Sequence, residues 1–437
     1  MTERATVSAR RRREIIDALR RGTVPERGLD LLAVGVDRFA PALDRELDSA
    51  AAGGAGFKAI RGEYGAGKTF LTRWLAERAV RRGFAAAEVQ ISERETPLHR
   101  LETVYRRVTE TLRTAAYPPS ALRPVLDSWL FTLEADAAGT DQPDAVDTLL
   151  ERRLAAVSAR TPAFAQALRA YRAAVTAGDV ATADGLAAWL GGQPHVAASV
   201  RRAAGVRGEL DHFGAMGFLQ GLLAVLRDSG HAGLVLVLDE VETLQRVRTD
   251  VRERALNALR QLVDEVDSGR YPGLYLVITG TPPFYDGPSG VVRLPPLAQR
   301  LATDFDTDAR FDNPRAVQLR LPGFDHRALV TVGATVRDLY ADQAEAPQRI
   351  RDRVADGYLA ELARAVAGGL GEQVGVAPRL YLKKLVGDVL DRVDQFPDFD
   401  PHRDYRLTLR IDELSEVERN AAGLAAPAAD DVALDLG

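Results

Sequence analysis

Cysteine is absent from this chain of 437 residues. Its absence excludes disulfide bonds, thiol catalysis and cysteine-based zinc sites. The six histidines are scattered, and no two of them have the spacing of paired metal ligands. We therefore expect the histidines to be ordinary surface or core residues.

Long apolar runs are also missing. The longest aliphatic run, at residues 234–238, is far too short to cross a bilayer. Residues 1–22 are charged where a signal peptide would need an apolar stretch. These two features predict a cytoplasmic protein that makes no membrane contact.

Lysine is scarce: only four of the 57 basic residues are lysines, and the rest are arginines. A single arginine therefore carries little information in this sequence, whereas a lysine inside a motif carries more. The formal net charge of −5 argues against a protein that coats nucleic acid, but it is compatible with a local basic groove. The length predicts two domains, or one domain with a large insertion.

One of the four lysines lies in a glycine-rich motif. The segment Gly62-Glu-Tyr-Gly-Ala-Gly-Lys-Thr69 fits the phosphate-loop pattern G-x-x-x-x-G-K-S/T, between a predicted strand at residues 57–60 and a predicted helix at 68–82. In such loops the backbone amides bind the β-phosphate, the lysine lies between the β- and γ-phosphates, and the next hydroxyl coordinates Mg²⁺. The alternative is a glycine-rich turn that carries a lysine by chance. The predicted nucleotide-binding residues are Gly62, Gly65, Ala66, Gly67, Lys68, Thr69 and Phe70.

The apolar run at residues 234–238 ends in Asp239 and Glu240. An all-apolar strand of this kind suits a central parallel strand that is covered on both faces. We predict that Asp239 holds Mg²⁺ through water and that Glu240 polarises the attacking water. The alternative is an acidic turn that merely follows a strand.

The adjacent glutamate also indicates a class of nucleotide-binding protein. It is typical of the ASCE P-loop ATPases, which insert an extra strand between the phosphate-loop strand and the acidic strand. No Asn-Lys-x-Asp motif for guanine recognition occurs in the sequence. ATP with Mg²⁺ is therefore favoured over GTP as the ligand.

Five further residues are candidates for sensing or stabilising the γ-phosphate. Thr279 ends a predicted strand at residues 274–279, and it can sense the γ-phosphate if that strand lies between the other two. Thr281 is the second choice, and the alternative is a threonine that simply ends a strand. The candidate arginines are Arg300 and Arg315, as arginine fingers, and Arg379, at the start of a late helix. For each arginine the alternative is a solvent-exposed surface role.

The chain between the predicted strands at residues 85–91 and 234–238 is about 140 residues long. It is rich in Ala, Arg and Leu at helical period, and a plain loop of that length does not occur inside a compact domain. We therefore predict a helical insertion at about residues 98–230. Later in the chain we predict a strand at 317–321, a single helix at 349–366 and a short strand at 405–411.

Several of these segments together resemble the ATP-binding proteins of BREX-type bacteriophage-defence systems, the BrxD-like family. The resemblance is carried by residues 15–25, 32–35, 60–71, 238–242 and 279–282, and it extends over most of the chain. Its most specific part is the motif Arg-Gly-Glu-Tyr-Gly-Ala-Gly-Lys-Thr-Phe at residues 61–70.

The resemblance implies an AAA-type or origin-recognition-like ATPase with a helical lid. It also implies that Val34 and Gly35 lie near the adenine. The corresponding domains are an N-terminal helical segment at 1–55 that contributes to the nucleotide site, an ATPase core at 56–325, a C-terminal helical lid at 326–419 and a disordered tail at 420–437. The implied partners are other defence-system proteins, typically a helicase.

Two functions are compatible with these features. The first is an ATP-hydrolysing subunit that remodels DNA or partner proteins during anti-phage defence. The second is a slow nucleotide-dependent switch or scaffold that recruits a helicase or another partner. A small-molecule kinase is disfavoured by the size of the helical additions and by the pair Asp239-Glu240. DNA binding and homo-oligomer formation stay open.

Overall fold

The computed structural model of the protein describes residues 7–138, 145–369 and 377–408. Their contacts divide the chain into two compact units. The sheet unit consists of Phe39–Arg61 and Leu75–Leu319, and the helical unit consists of Met1–Arg38, Gly62–Trp74 and Arg320–Gly437. The tail predicted at residues 420–437 lies outside the described residues.

The sheet has five strands, and its order is β2-β3-β4-β1-β5. The strands are β1 (Gly56–Arg61), β2 (Ala85–Gln90), β3 (Leu234–Asp239), β4 (Leu274–Gly280) and β5 (Gln318–Arg320). The pairs β2/β3, β3/β4 and β4/β1 are all parallel. This arrangement, with many helices around it, confirms the predicted α/β fold. All five strands occur where the sequence predicts them, within one or two residues at each end.

The strand order explains the composition of the central strands. Every residue of β4 is buried, and so are the first five residues of β3. Strands with neighbours on both sides and helices on both faces have no solvent-facing positions, so they read as continuous apolar runs. Because β4 lies between β1 and β3, the carboxyl ends of these three strands meet at one edge of the sheet.

Seven helices lie between β2 and β3 within the described residues, in the interval where the sequence predicts helices. They are α4 (Leu101–Thr111), α5 (Leu122–Ala137), α6 (Ala145–Arg160), α7 (Pro162–Thr176), α8 (Val180–Leu190), α9 (Ala198–Ala203) and α10 (His212–Asp228). Except for α9, which buries none of its residues, these helices contribute their buried residues to one hydrophobic cluster that also contains apolar residues of the strands. The other helices of the sheet unit are α2 (Ala40–Ala51), α11 (Thr249–Asp267), α12 (Pro282–Asp286) and α13 (Pro295–Leu301), while α3 (Lys68–Arg81) begins in the helical unit and ends in the sheet unit.

Helix α5 lies inside the predicted helical insertion, but the prolines at its start make it hard to predict as a separate helix. It begins directly after the Pro-Pro-Ser segment at residues 118–120 and carries Pro124 in its first turn. Proline signals a break when it is read as part of a loop, but the first turn of a helix tolerates it because the missing N–H has no helical partner there. The apolar spacing from Leu122 to Leu133 would have identified the helix, since these residues are buried on one face.

The helical unit has its own hydrophobic core. Its helices are α1 (Ala9–Arg20), α14 (His326–Ala341), α15 (Pro347–Arg353), α16 (Asp356–Gly369), α17 (Ala377–Lys383), α18 (Asp391–Gln395) and α19 (Pro401–Asp404), with a π-helix at Lys384–Leu390. Helix α1 buries Ile15, Ile16 and Leu19 in this core. Its last residue, Arg20, donates two hydrogen bonds to the carboxylate of Asp391, at 2.7 and 2.9 Å. The N-terminal helix is therefore fastened to the C-terminal helices of the same unit.

The single helix predicted at residues 349–366 is wrong, because the chain breaks between α15 and α16. Val354 leaves the helical region, with φ −112° and ψ 52°. The guanidinium of Arg337 donates to the carbonyl oxygen of Val354 at 3.2 Å and to the carboxylate of Asp356 at 2.7 Å. These two bonds come from another helix and stabilise the break, which periodicity alone cannot reveal.

The short strand predicted at residues 405–411 is also wrong for the part that the structure describes. Residues 405–408 form no strand, and residues 409–411 lie outside the described ranges. The side chain of Tyr405 instead donates a hydrogen bond to Asp388 of the π-helix at 3.1 Å. This segment is fixed by a side-chain contact to a helix and not by a backbone ladder.

Candidate functional site

The loop at residues 62–69 leaves the end of β1 and opens helix α3. Gly65 and Gly67 have φ values of +77° and +92°, which the curled backbone of the loop requires and which favour glycine. A methyl group at Gly62 would come within 3.2 Å of the carbonyl oxygen of Leu321. The backbone N–H of Leu71 donates to the carbonyl oxygen of Gly67 at 2.9 Å, so helical bonding starts inside the motif.

The side chain of Lys68 is buried and turns back across the loop. Its ammonium group donates to the carbonyl oxygen of Gly62 at 2.8 Å and to that of Glu63 at 3.2 Å. The same group lies 5.1 Å from the centre of the Tyr64 ring. A positive charge is thus held within a curl of backbone at the start of a helix, where the partial positive charge of the helix adds to it. This arrangement suits an anion.

The acidic strand end has an unusual backbone. Asp239 is the last residue of β3, and Glu240 follows it with φ +59° and ψ 42°. This is the left-handed region, which costs a residue with a side chain about 1–2 kcal/mol. Strained residues of this kind cluster at functional sites, because the surrounding contacts must hold them in place.

The contacts that hold Glu240 come from two neighbouring strands. Its backbone N–H donates to Oδ1 of Asp239 at 3.1 Å and to Oγ1 of Thr279 at 3.0 Å. The Thr279 hydroxyl in turn donates to the carboxylate of Asp239. Three groups therefore fix the position of one another at the carboxyl edge of the sheet.

Thr279 can sense the γ-phosphate only if its strand lies between the phosphate-loop strand and the acidic strand. This is the case, since β4 lies between β1 and β3. Thr279 is fully buried and pairs in register with Ile60 of β1. Thr281 is buried as well, but it lies beyond the strand and directly precedes helix α12. Of the two threonines, Thr279 is the one that contacts Asp239.

Gln90 is a residue of this site that sequence reasoning missed. It is the last residue of β2 and lies opposite Asp239 in the register of β2 with β3. Its amide nitrogen donates to Oε2 of Glu240 at 2.9 Å. The available signal was a polar residue at the end of a predicted strand. That signal becomes informative only when β2 is known to neighbour β3.

Arg61, the residue before the loop, forms a second polar cluster at the end of β1. Its buried guanidinium pairs with Asp286 and lies 4.9 Å from the centre of the Phe305 ring and 5.7 Å from that of Tyr285. Burial raises the pKa of Tyr285 well above 10, and the nearby carboxylate of Glu242 raises it further while Arg61 opposes the change. The phenol is therefore protonated at neutral pH.

The candidate arginines lie in different surroundings. Arg300 on α13 forms an ion pair with Asp264 and is 43% exposed. Arg315 is exposed, and its backbone N–H donates to Oδ1 of Asn313 at 3.0 Å. Arg379 on α17 is also exposed, and it lies near Gly22. All three arginines are thus exposed to solvent, Arg300 within an ion pair.

Val34 and Gly35, the residues expected near the adenine, belong to the helical unit, as do the loop and Phe70. Val34 and Phe70 are half-buried and pack against the same hydrophobic core. Gly35 has φ +78°, and a methyl group there would meet open space. The segment at Val34 therefore presents an apolar side chain and an uncrowded backbone.

Replacing Thr279 by valine should destabilise the nucleotide-free protein by about 2 kcal/mol, because the carboxylate of Asp239 and the N–H of Glu240 lose a buried partner. The urea midpoint of unfolding measures this loss. Thr281→Val is the matched control at a buried threonine whose side chain makes no cap bond to α12, and we expect a smaller loss there. Equal losses in the two variants would contradict the assigned hydrogen bonds.

The sequence was matched to a known protein family. The model of the family described as BREX system ATP-binding protein BrxC/D matches residues 7–409, which is most of the chain. No curated individual protein matches the sequence. Among the described helices none combines the length and the apolar composition of a membrane span.

Proposed function

The chain belongs to the BREX system ATP-binding protein family BrxC/D, and from this membership we propose that it binds and hydrolyses ATP during BREX phage defence. The family assignment supports ATP binding, a role in defence and other BREX proteins as partners. Hydrolysis, the residues that perform it and the coupling to remodelling of DNA or partner proteins form the proposal. The observation that carries the proposal is the buried ammonium of Lys68 inside the glycine loop.

We propose that the backbone N–H groups of residues 65–69 bind the phosphates of ATP, with Lys68 between the β- and γ-phosphates. The two carbonyl oxygens that now accept from Lys68 show that its ammonium reaches the start of the loop. A phosphate oxygen is a stronger, charged acceptor than a carbonyl, so it can take over this donor. Val34 and Gly35 would lie near the adenine, and Phe70 would contribute to nucleotide binding.

The residues present fit Mg²⁺ as the accompanying cation. No group of three acidic or histidine side chains in the described ranges forms a metal site alone. Mg²⁺ does not require one, since nucleotide enzymes bind it through one or two protein oxygens, the phosphates and water. We assign the hydroxyl of Thr69 and the carboxylate of Asp239 to this role. Bound Mg²⁺ would neutralise charge on the β- and γ-phosphates.

Glu240 is the proposed general base for the attacking water. The loop begins directly after Arg61, which ends β1, and Glu240 follows Asp239, which ends β3, two strands away at the same edge of the sheet. Thr279 orients Asp239 and Glu240 and is the proposed γ-phosphate sensor. We propose Arg300 and Arg379 as arginines that stabilise charge on the phosphates. Arg300 would act as a finger on a neighbouring copy, and this role would require a homo-oligomer.

The strand order supports placing the protein among ASCE ATPases of the AAA or origin-recognition type. In this proposal residues 56–325 form the ATPase core with its insertion at about 98–230. Residues 326–419 form the lid, and residues 1–55 complete the nucleotide site. Helix α1 packs in the core of the helical unit. This packing supports a joint role for residues 1–55 and residues 326–419.

A slow nucleotide switch is the second candidate, and the bond from Gln90 to Glu240 favours it. While this bond persists, one carboxylate oxygen of the proposed base is occupied. ATP would then be retained until a partner releases Glu240. The two candidates differ in whether duplex DNA or a partner protein, such as a helicase, accelerates ATP turnover by the purified protein.

Lys68→Ala should weaken ATP binding by about 100-fold, since it removes a charged donor worth roughly 1.5–3 kcal/mol per bond to the phosphates. Isothermal titration calorimetry with ATP and Mg²⁺ measures the affinity. Arg81→Ala removes one positive charge from the far end of the same helix and serves as the control. Unchanged affinity in Lys68→Ala would refute the proposed phosphate loop.

Glu240→Gln should retain ATP affinity and lower turnover by at least about 100-fold, the usual contribution of a general base. The amide keeps the size of the side chain but cannot accept the proton of water. Turnover is measured by phosphate release, and affinity by calorimetry on the same preparation. Glu253→Gln, an exposed acid on α11, is the control. Full turnover in Glu240→Gln would place the base elsewhere.

Gln90→Ala should raise the basal turnover about fivefold without changing ATP affinity. The hydrogen bond to Glu240 contributes about 1 kcal/mol, and it must break before the carboxylate accepts from water. Phosphate release by wild type and variant at saturating ATP measures the change. A fall in turnover toward that of Glu240→Gln would instead show that Gln90 holds the base in its productive position.

A further inference from the structure

The helices between β2 and β3 contain an apolar groove that the nucleotide chemistry does not use. It lies between α5 on one side and the end of α7 and the start of α8 on the other, and its volume is about 330 Å³. Its apolar lining includes Leu130, Phe131, Val175 and Val180. We refer to this feature as the insertion groove.

Large apolar side chains in the insertion groove face solvent. Phe131 is 72% exposed, Val180 62% and Val175 42%. Eight large apolar residues are exposed in the described part of the chain, and three of them meet in this groove. Single exposed apolar residues are ordinary, but a contiguous patch around a concave surface marks an interaction site.

The shape of the insertion groove fits a helix. From α5 it is lined at positions 123, 127, 130, 131 and 134, which are spaced as one face of a helix. The twelve residues of α5 from position 123 to position 134 span roughly 16 Å, which corresponds to about three turns of a second helix. A groove of this length receives the apolar ridge of an amphipathic helix at positions i, i+3 or i+4, and i+7.

The rim of the insertion groove is acidic. Arg123 is its one cation, and it already pairs with Asp184 and lies 3.7 Å from Asp127. Glu134 and Asp179 are exposed at the two sides of the groove, Asp179 between the lining residues at 178 and 180. One guanidinium thus faces four carboxylates, so the electrostatic complement is a basic partner.

We propose that the insertion groove binds an amphipathic helix of another protein. The apolar side chains of that helix would contact Phe131, Val175 and Val180, and its Lys or Arg residues would contact the acidic rim. The inference rests on the proposed role among defence-system partners but not on ATP hydrolysis. The basic amphipathic helix of this chain, α1, buries its apolar face in the helical unit. A second copy therefore does not offer that helix as the occupant.

Photocrosslinking from the groove tests this proposal in a strain that carries the complete defence system. The phenylalanine analogue p-benzoylphenylalanine replaces Phe131 in the full-length chain, and a second strain carries it at Phe311, which is 69% exposed outside the groove. We expect position 131, but not 311, to crosslink to a different protein. Mass spectrometry should map the crosslink to a segment with helical apolar spacing and an excess of Lys and Arg.

Charge reversal at the rim provides the second measurement. Glu134→Lys should lower the crosslink yield from position 131 by about tenfold, which corresponds to about 1.4 kcal/mol. Asp179 is left unchanged because its side chain also caps helix α8 by accepting from the backbone N–H of Thr182. Asp306→Lys changes the net charge equally at an exposed position outside the groove, and it should leave the yield unchanged.

Several outcomes would overturn the proposed occupant. The first is the absence of a crosslink at position 131. The second is a crosslink to a second copy, or to an acidic or non-amphipathic segment. The third is a crosslink yield that the charge reversal at the rim leaves unchanged. Calorimetry with ATP on the same variants tests the nucleotide site separately. Normal ATP binding without the specific crosslink contradicts only the proposed partner of the groove. The specific crosslink without ATP binding contradicts only the proposed nucleotide function.

Discussion

One buried hydroxyl group holds the acidic end of the sheet together. Thr279 donates to the carboxylate of Asp239 and accepts from the backbone N–H of Glu240. Without it, the left-handed backbone of Glu240 would retain the bond to Asp239 but lose its contact to the neighbouring strand. A strained residue persists only where its surroundings over-determine it. The direction of the Glu240 side chain, and hence any chemistry it performs, therefore depends on a residue of β4.

Local patterns were enough to locate the loop, the acids and most of the elements. Helix α10 (His212–Asp228) lies inside the predicted helical insertion, because its apolar spacing is regular and Asp211 caps it. The contributions of Gln90 and Arg61 could not be predicted in the same way. Each depends on which strand or loop lies beside it, and that information is contained in the strand order and not in the spacing of either residue.

The two wrong predictions, a single helix at residues 349–366 and a strand at 405–411, share a physical cause. The break after α15 is stabilised by Arg337 from another helix, and Tyr405 is fixed by Asp388 in the absence of a strand partner. In both cases the segment is held by a hydrogen bond to a side chain from another part of the sequence. The local sequence pattern predicts a regular helix or strand there because it contains no sign of that bond. Sequence periodicity reports burial on one face of an element, but it does not report contacts that end the element.

The helices between β2 and β3 are not a separate appendage, because they share their core with the sheet. Helix α4 packs against both β2 and α10, and its buried residues belong to the same cluster as those of β3. The same two strands carry Gln90 and Asp239 at their ends. A partner bound in the insertion groove would contact α5, which packs directly on α10. Continuous packing of this kind connects the insertion groove, through α5, α10 and α4, to the strands that carry Gln90 and Asp239.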